Sequence, residues 1–260
     1  MLLATRGRAP LLLTAPALVG AGLLVLPLVA LLDRTPWSRL PHLLTDPQVR
    51  QALWLSLRCC LGATLLSVAV GVPLAWVLAR TRLPGRRLLR GLVVVPLVLP
   101  PVVGGVALLL AFGRSGLFGP LLVTAGAVPA FTPWGVVLAE TFVALPFLVL
   151  TVEGALSAAP QEPEDVAATL GARPLRLFLG VSLPAIGPSV AAGAVLAGAR
   201  ALGEFGATTT FAGSLPGRTQ TVPLAVYALL QDDPEAAYAL SAVLLAVSVV
   251  LVLLVRTRWR

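Results

Sequence analysis

Arg200 and Glu204 stand four residues apart in a stretch that is otherwise apolar or small. On a helix that spacing brings both side chains to one face, where each neutralises the other; an isolated charge inside a membrane costs at least ~2.5 kcal/mol. Two chemistries follow, a structural ion pair or a cation that meets an anion. Glu140 interrupts an apolar run from about 131 to 152. It is expected to face other helices, either as a hydrogen-bonded packing residue or along a pathway. A third set of acids, Glu153, Glu162, Glu164 and Asp165, crowds residues 153–182.

The remaining inventory excludes more than it offers. His42 is the only histidine, and no Cys or carboxylate cluster has metal-ligand spacing. An intramembrane enzyme would need a nucleophile and base, or a metal cluster, at membrane depth, and this sequence argues against one. Cys59 and Cys60 are adjacent at the start of an apolar run, where neighbouring thiols rarely meet disulfide geometry; they read as two small buried hydrophobes. No Gly-x-x-x-x-Gly-Lys phosphate loop occurs, and all 19 basic residues are arginine. This chain therefore carries no ATP-binding loop of that type.

The elements that must hold these residues follow from composition. Of 260 residues, 58% are apolar and 12% charged, against about 45–50% and about 25% in a soluble domain. A hydrocarbon core of ~30 Å takes about 20 helical residues. Runs 11–32, 59–79, 91–113, 177–199 and 236–255 qualify outright, with 131–152 as a sixth. Run 11–32 follows Arg6 and Arg8 but exceeds the ~7–15 residues of a signal core, so it is expected to be retained.

The net charge of +8 reads as membrane orientation, with no nucleic-acid partner implied. With the amino terminus inside, twelve Arg fall on inner segments and five outside, at 34, 39, 50, 114 and 218; Arg58 and Arg200 sit at span edges. The positive-inside rule then places both termini and residues 153–182 in the cytoplasm.

Within 153–182, Pro163 at a first helical position with Glu164 and Asp165 in the first turn suits a helix N-terminus. Gly171 supplies a left-handed stop. Pro174 opens a second short helix that meets Pro184 near the true start of the fifth span. Pro96, Pro100 and Pro101 remove backbone donors from span three, which is expected to be kinked and to face protein or a pathway. Span five is rich in Gly and Ala, which lets helices approach closely.

Asp165-Val166-Ala167, Gly171 and Val181-Ser182-Leu183-Pro184 together resemble the EAA loop of permease subunits in binding-protein-dependent ABC importers. Asp165 stands where that family usually has Glu, Val166 where it has Ala, and Val181 where it often has Ile. Three further stretches resemble the molybdate permease branch: Gly71 to Ala75 with Leu78-Ala79-Arg80, Leu99 to Gly104 with Phe112 to Gly116, and Ala199 to Ala207. Sulfate permeases share the Gly203-Glu204-Phe205-Gly206-Ala207 type, whereas Leu215 to Tyr227, with its Pro-Gly-Arg-Thr-Gln-Thr run, looks specifically like the molybdate type.

The resemblance covers roughly residues 50–250 and implies an all-α, MetI-like permease fold: six transmembrane helices and a cytoplasmic coupling helix. It implies a cytoplasmic N-terminus at 1–10, one permease domain at 11–256 with the EAA loop at 160–184, and a cytoplasmic tail at 257–260. The function implied is ATP-driven import of molybdate across a bacterial cytoplasmic membrane, with sulfate, thiosulfate or tungstate as alternative cargo. The implied partners are an ABC ATPase carrying ATP and Mg, an extracytoplasmic oxyanion-binding protein, a second copy of the chain and the lipid bilayer; no cofactor is expected on this chain. Glu164, Asp165, Ala167, Ala168, Gly171, Leu183 and Pro184 are the expected ATPase-coupling residues, the two carboxylates being offered to a partner Arg or Lys. Pro100, Pro101, Gly104, Arg200, Gly203, Glu204, Gly206, Thr208 and Thr210 are the expected pathway or gate residues, with the hydroxyls of Thr208, Thr209 and Thr210 near the outer mouth.

Overall fold

The computed structural model describes residues 11–256. The expectations for residues 1–10 and 257–260, including Arg6, Arg8, Arg258 and Arg260, lie outside the described residues. The regular structure of the described residues is helical: α1 (Leu11–Arg34), α2 (Leu40–Thr45), α3 (Pro47–Arg80), α4 (Arg86–Val98), α5 (Pro101–Phe112), α6 (Gly119–Thr124) and α7 (Pro133–Ala158) come first. There follow α8 (Glu162–Thr169), α9 (Pro174–Leu177), a π-helical turn (Phe178–Ser182), α10 (Leu183–Ala185), α11 (Gly187–Leu202), α12 (Gly206–Phe211), α13 (Val222–Asp232) and α14 (Pro234–Arg256).

Four helices, α1, α3, α7 and α14, are long and apolar enough to cross a membrane unaided. Two more crossings arise only if bent pairs are counted as one span each, which makes six. In the first pair, α4 and α5 are bent by 120°. The prolines divide the work there: Pro96 is carried inside α4, Pro100 is extended at φ −54° and ψ 132°, and Pro101 opens α5. This is a break, and it exceeds the kink expected from sequence. In the second pair, the segment ending at Ala185 meets α11 at 78°. The apolar run 177–199 is therefore two elements, and the helix that enters the bundle begins at Gly187.

The second span also differs from expectation, since α3 starts at Pro47 rather than Cys59. Asp46 caps it by accepting from the amides of Gln48 and Val49, and Pro47 suits the first turn. The extra turns tolerate charge because the Arg58 guanidinium lies 4.3 Å from the Trp54 ring centroid. With 34 residues, α3 is about 51 Å long at ~1.5 Å per residue, enough to mark both ends of the molecule.

At one end Arg39 binds Asp233 at 2.9 Å and Glu235 at 2.7 Å. At the other, Arg80 and Arg90 bind Glu164 and Glu153, so α8 and the start of α4 share a face opposite Arg39.

The core lies where α3, α7 and α11 pack together. Burial identifies α7 as central: 67% of its apolar window is buried, against 33% for α3, 28% for α14 and none for α1. Close approach depends on missing side chains. A Cβ at Gly71 of α3 would lie 2.8 Å from Leu148 Cδ2 of α7. A second cluster joins α5, α7 and α12 through Leu108, Val143, Ala207 and Phe211. A third joins α3, α13 and α14, reinforced by the Val222 amide donating to Ser56 Oγ at 2.7 Å.

Candidate functional site

Helix α8 ends in a Schellman arrangement: the Gly171 amide donates to Ala168 O and the Ala172 amide to Ala167 O, both at 3.0 Å. Gly171 takes φ +85° as its turn requires. Glu162, Glu164 and Asp165 occupy the first turn, favourable beside a helix N-terminus. None of its residues is fully buried.

The two carboxylates expected to face a partner part company. Asp165 is exposed. Glu164 turns inward, taking Arg80 Nε on Oε2 at 2.9 Å and Ser182 Oγ–H on Oε1 at 2.9 Å. Ser182 in turn accepts from Trp76 Nε1 at 3.3 Å. Glu164 thus ties α8 to α3 and to the π-turn before α11, because the C-terminal end of α3 presents Arg80 beside it. What α8 and its C-cap offer outward is Glu162 and Pro163 at the start, then Asp165, Val166, Ala168, Thr169 and Leu170, with Val166 58% and Leu170 84% exposed. Sequence reasoning missed Leu170; an apolar residue one position before the stopping glycine of an otherwise polar helix was the available signal.

Ala167 is half-buried, Leu183 packs against the main core and Pro184 is exposed on the connector to α11. Leu183 and Pro184 therefore set how α8 is joined to the bundle and are not part of its outward face.

The expected pathway residues do come together. A Cβ on Gly206 would lie 2.7 Å from Pro101 Cβ, one on Gly105 2.7 Å from Ala207 O, and one on Gly104 3.0 Å from the Phe142 ring. Helices α5 and α12 are in backbone contact, and α7 backs them. Arg200 Nη2 meets Glu204 Oε2 at 2.6 Å, with 29% of the Arg200 side chain exposed and 1% of the Glu204 side chain. Glu204 also accepts the Ala207 amide on Oε1 at 2.9 Å, so it holds the start of α12 as well as the arginine. Gly203, Pro100 and Pro101 are exposed.

One hydroxyl is placed differently from expectation. Thr208 is fully buried and its Oγ1 has no hydrogen-bond partner among the described residues. Thr210 donates to Gly206 O at 2.8 Å. Helical periodicity turns Thr208 inward, so its hydroxyl faces no opening, while Thr209 and Thr210 are both half-exposed.

Glu140 faces the bundle interior as expected, at 2% exposure, near enough to Glu204, Cys59 and Cys60 to interact electrostatically. The hydrogen-bonded reading fails for Oε2, which has no partner among the described residues. Cys59 and Cys60 are free and buried. No group of three or more metal-binding side chains occurs among the described residues.

The Leu215 to Tyr227 stretch folds as a knot at the Arg39 end and runs into α13. Leu215 O accepts three amides, from Arg218, Thr219 and Gln220, and buried Thr219 Oγ1 donates to Gly213 O. Its residues hold one another, leaving Arg218 exposed.

Residues 71–258 match the family described as binding-protein-dependent transport system inner membrane component. A molybdenum transport system permease protein of Mycobacterium tuberculosis is 51% identical over 243 residues, covering 94% of this chain and 92% of the relative. A sulfate transport system permease protein of Salmonella typhimurium is 36% identical over 239 residues, covering 90% and 86%. Among solved structures, the bacterial alginate ABC transporter in complex with an alginate pentasaccharide-bound periplasmic protein aligns with TM-score 0.73 at 17% identity, covering 96% of this chain and 94% of that one.

Proposed function

Because the chain belongs to the family of binding-protein-dependent transport inner membrane components, we propose that it is the permease subunit of an ATP-driven importer and that its cargo is molybdate. The observation that carries the cargo is the contrast between 51% identity to a molybdenum permease and 36% to a sulfate permease, each over most of the chain. The Pro216-Gly217-Arg218-Thr219-Gln220-Thr221 stretch agrees with that choice.

ATP and Mg belong to a partner ATPase that docks on α8. Its contact surface is the outward set of Asp165, Val166, Ala168, Thr169 and Leu170, a charge beside two apolar knobs, while Gly171 lets the helix project and Glu164 braces it from behind. On this reading the α8 face is cytoplasmic, with both termini on the same side, as the arginine distribution requires. The Arg39 face then meets an extracytoplasmic oxyanion-binding protein, and a second copy of the chain completes the pore.

The path runs beside Pro100, Pro101, Gly104, Gly203 and Gly206. A doubly charged oxyanion passes an apolar constriction without being trapped when no unpaired cation lines it. The Arg200–Glu204 pair meets that condition, because the buried carboxylate offsets the one guanidinium on the path.

Uptake of radiolabelled molybdate by proteoliposomes holding permease, ATPase and binding protein tests the proposal. Molybdate should accumulate only with internal ATP, and excess sulfate should compete poorly. Accumulation of sulfate but not molybdate would refute the cargo, and ATP-independent uptake would refute the coupling.

A further inference from the structure

Arg39 holds two acids, Arg80 holds Glu164, Arg90 holds Glu153, and Arg58 lies on Trp54. Other exposed arginines, among them Arg34, Arg50, Arg114, Arg173, Arg176 and Arg218, make no ion pair among the described residues but are scattered singly or in pairs. The segment that turns from α3 into α4 is the densest such cluster. Arg82 and Arg87 are exposed and make no ion pair among the described residues, while Arg86 spends one N–H on Thr81 O. Three guanidinium groups within six residues thus lack a counter-charge. Arg86 and Arg87 border an open cavity of about 710 Å³, lined also by Leu83, Gly85, Leu88 and Arg90, and Arg82 precedes it in the same turn.

Helix α4 runs from this cluster with two distinct sides. Its buried side places Val93 in the core, with Leu89 packed alongside. Its outer side carries Leu88, Leu92 and Val95 at i, i+4 and i+7, with Val98 beside them, at 70%, 56%, 45% and 80% exposure. A basic cluster that opens directly onto an uncovered apolar stripe on the same helix matches a molecule with an anionic head and two hydrocarbon chains. A soluble anion would leave the stripe bare, and a protein partner would have to match charge and stripe together.

We infer that Arg82, Arg86 and Arg87, with the outer stripe of α4, form a binding site for an anionic phospholipid, the phosphate headgroup at the arginines and the acyl chains along Leu88, Leu92 and Val95. The placement rests on membership of an integral membrane family and on geometry within the chain, and holds for either orientation of the α8 face. Clusters of arginine next to a membrane helix gain about 1 kcal/mol per residue from anionic lipid, equivalent to about fivefold in affinity for each arginine. The site also gives the turn between α3 and α4 a fixed depth at the membrane surface, close to the Arg80–Glu164 brace.

Native mass spectrometry of the detergent-solubilised permease–ATPase complex with added phosphatidylglycerol or phosphatidylcholine tests this. Phosphatidylglycerol should be retained over phosphatidylcholine, and the R82A/R87A variant should lose about 25-fold in its affinity, roughly fivefold per arginine. Leu92→Asn should weaken retention with the arginines intact. Arg218→Ala, an exposed arginine at the opposite end, should change nothing, and inorganic phosphate at matched ionic strength should not displace the lipid. Equal retention of both lipids, full retention in R82A/R87A, or displacement by phosphate would overturn the site. So would loss of the ATPase or of a second permease copy from R82A/R87A with lipid retained, since the face would then be a protein contact.

Discussion

Replacing Glu164 by alanine removes a carboxylate whose side chain keeps 13% exposure and whose partner, Arg80, keeps 7%. The guanidinium would be left with one long hydrogen bond, Nη2 to Ala159 O at 3.5 Å, and Ser182 Oγ would lose its acceptor. Removing one member of a buried pair costs about 3–5 kcal/mol, and a position beside the aqueous face lowers this to about 2–3 kcal/mol here. For a chain of this size that corresponds to a fall of roughly 4–12 °C in the midpoint of thermal inactivation. Arg80→Ala should fall by a similar amount, and the double variant should be no worse than the worse single, because all three break the same bond. Glu164→Gln should be milder, since its amide oxygen still accepts from Ser182. In nanodiscs, binding-protein-stimulated ATPase and molybdate uptake should both be measured: ATPase should persist while molybdate moved per ATP falls, because α8 still docks but no longer moves with α3 and α11. Two results refute the reasoning. One is additive loss in the double variant. The other is loss of ATPase copurification in Glu164→Ala but not in Arg80→Ala, which would mean that the carboxylate meets the partner directly.

Four further outcomes are expected. A single Cys at Gln161, in a background lacking Cys59 and Cys60, should label only from the cytoplasmic side; external labelling in intact cells would overturn the orientation. Asp165→Lys and Leu170→Asp should each reduce copurified ATPase at least tenfold with the permease still in the membrane, as like-charge or buried-charge contacts at an interface cost on the order of several kcal/mol. The double swap Arg200→Glu with Glu204→Arg should retain more uptake than either single, and Glu204→Ala should be worse than Arg200→Ala because Glu204 also holds the Ala207 amide; equal uptake in all variants would make the pair incidental. Finally, Asp233 is held below the usual carboxylate range by the Ala236 amide and, after it, by Arg39. Its contribution is therefore complete above the unfolded value near 3.9 and is lost only as pH falls through the lower folded value. Protease access to the α2 loop should stay constant from about pH 8 to 5 and increase only below about pH 4; an increase between pH 8 and 5 would contradict the clamp.

Membrane helices were legible because hydrocarbon imposes length and composition on a chain locally. The breaks at Pro100 and before Gly187 were visible as prolines, but their angles of 120° and 78° depend on what packs around them. The outward helix α8 was readable down to Gly171, since a Schellman stop is a local event. The direction of Glu164 was not, because its partner Arg80 lies 84 residues away. The Arg200–Glu204 pair was readable from i, i+4 spacing alone, while the second bond of Glu204, to the start of α12, required knowing that the helix stops at Leu202 and restarts at Gly206. The burial of Thr208 was not readable for the same reason: its direction follows from the register of a short helix that composition does not delimit.

The bareness of α1 has a consequence for synthesis. None of its apolar window is buried by the rest of the chain, its main neighbour is α14, and the segment after it is fastened by Arg39 to Asp233 and Glu235. Among the described helices α1 leaves the ribosome first and α14 last. About 200 residues separate them, roughly 10–40 s of translation at ~5–20 residues per second. Through that interval α1 resides in lipid with no destination within its own chain, and the Arg39 clasp closes only when the final helix arrives. Assembly of the central α3, α7 and α11 packing therefore does not wait for α1, and a ribosome stalled before residue 233 leaves a nascent chain in which those three helices are already made while α14 is missing and the first helix is still adrift.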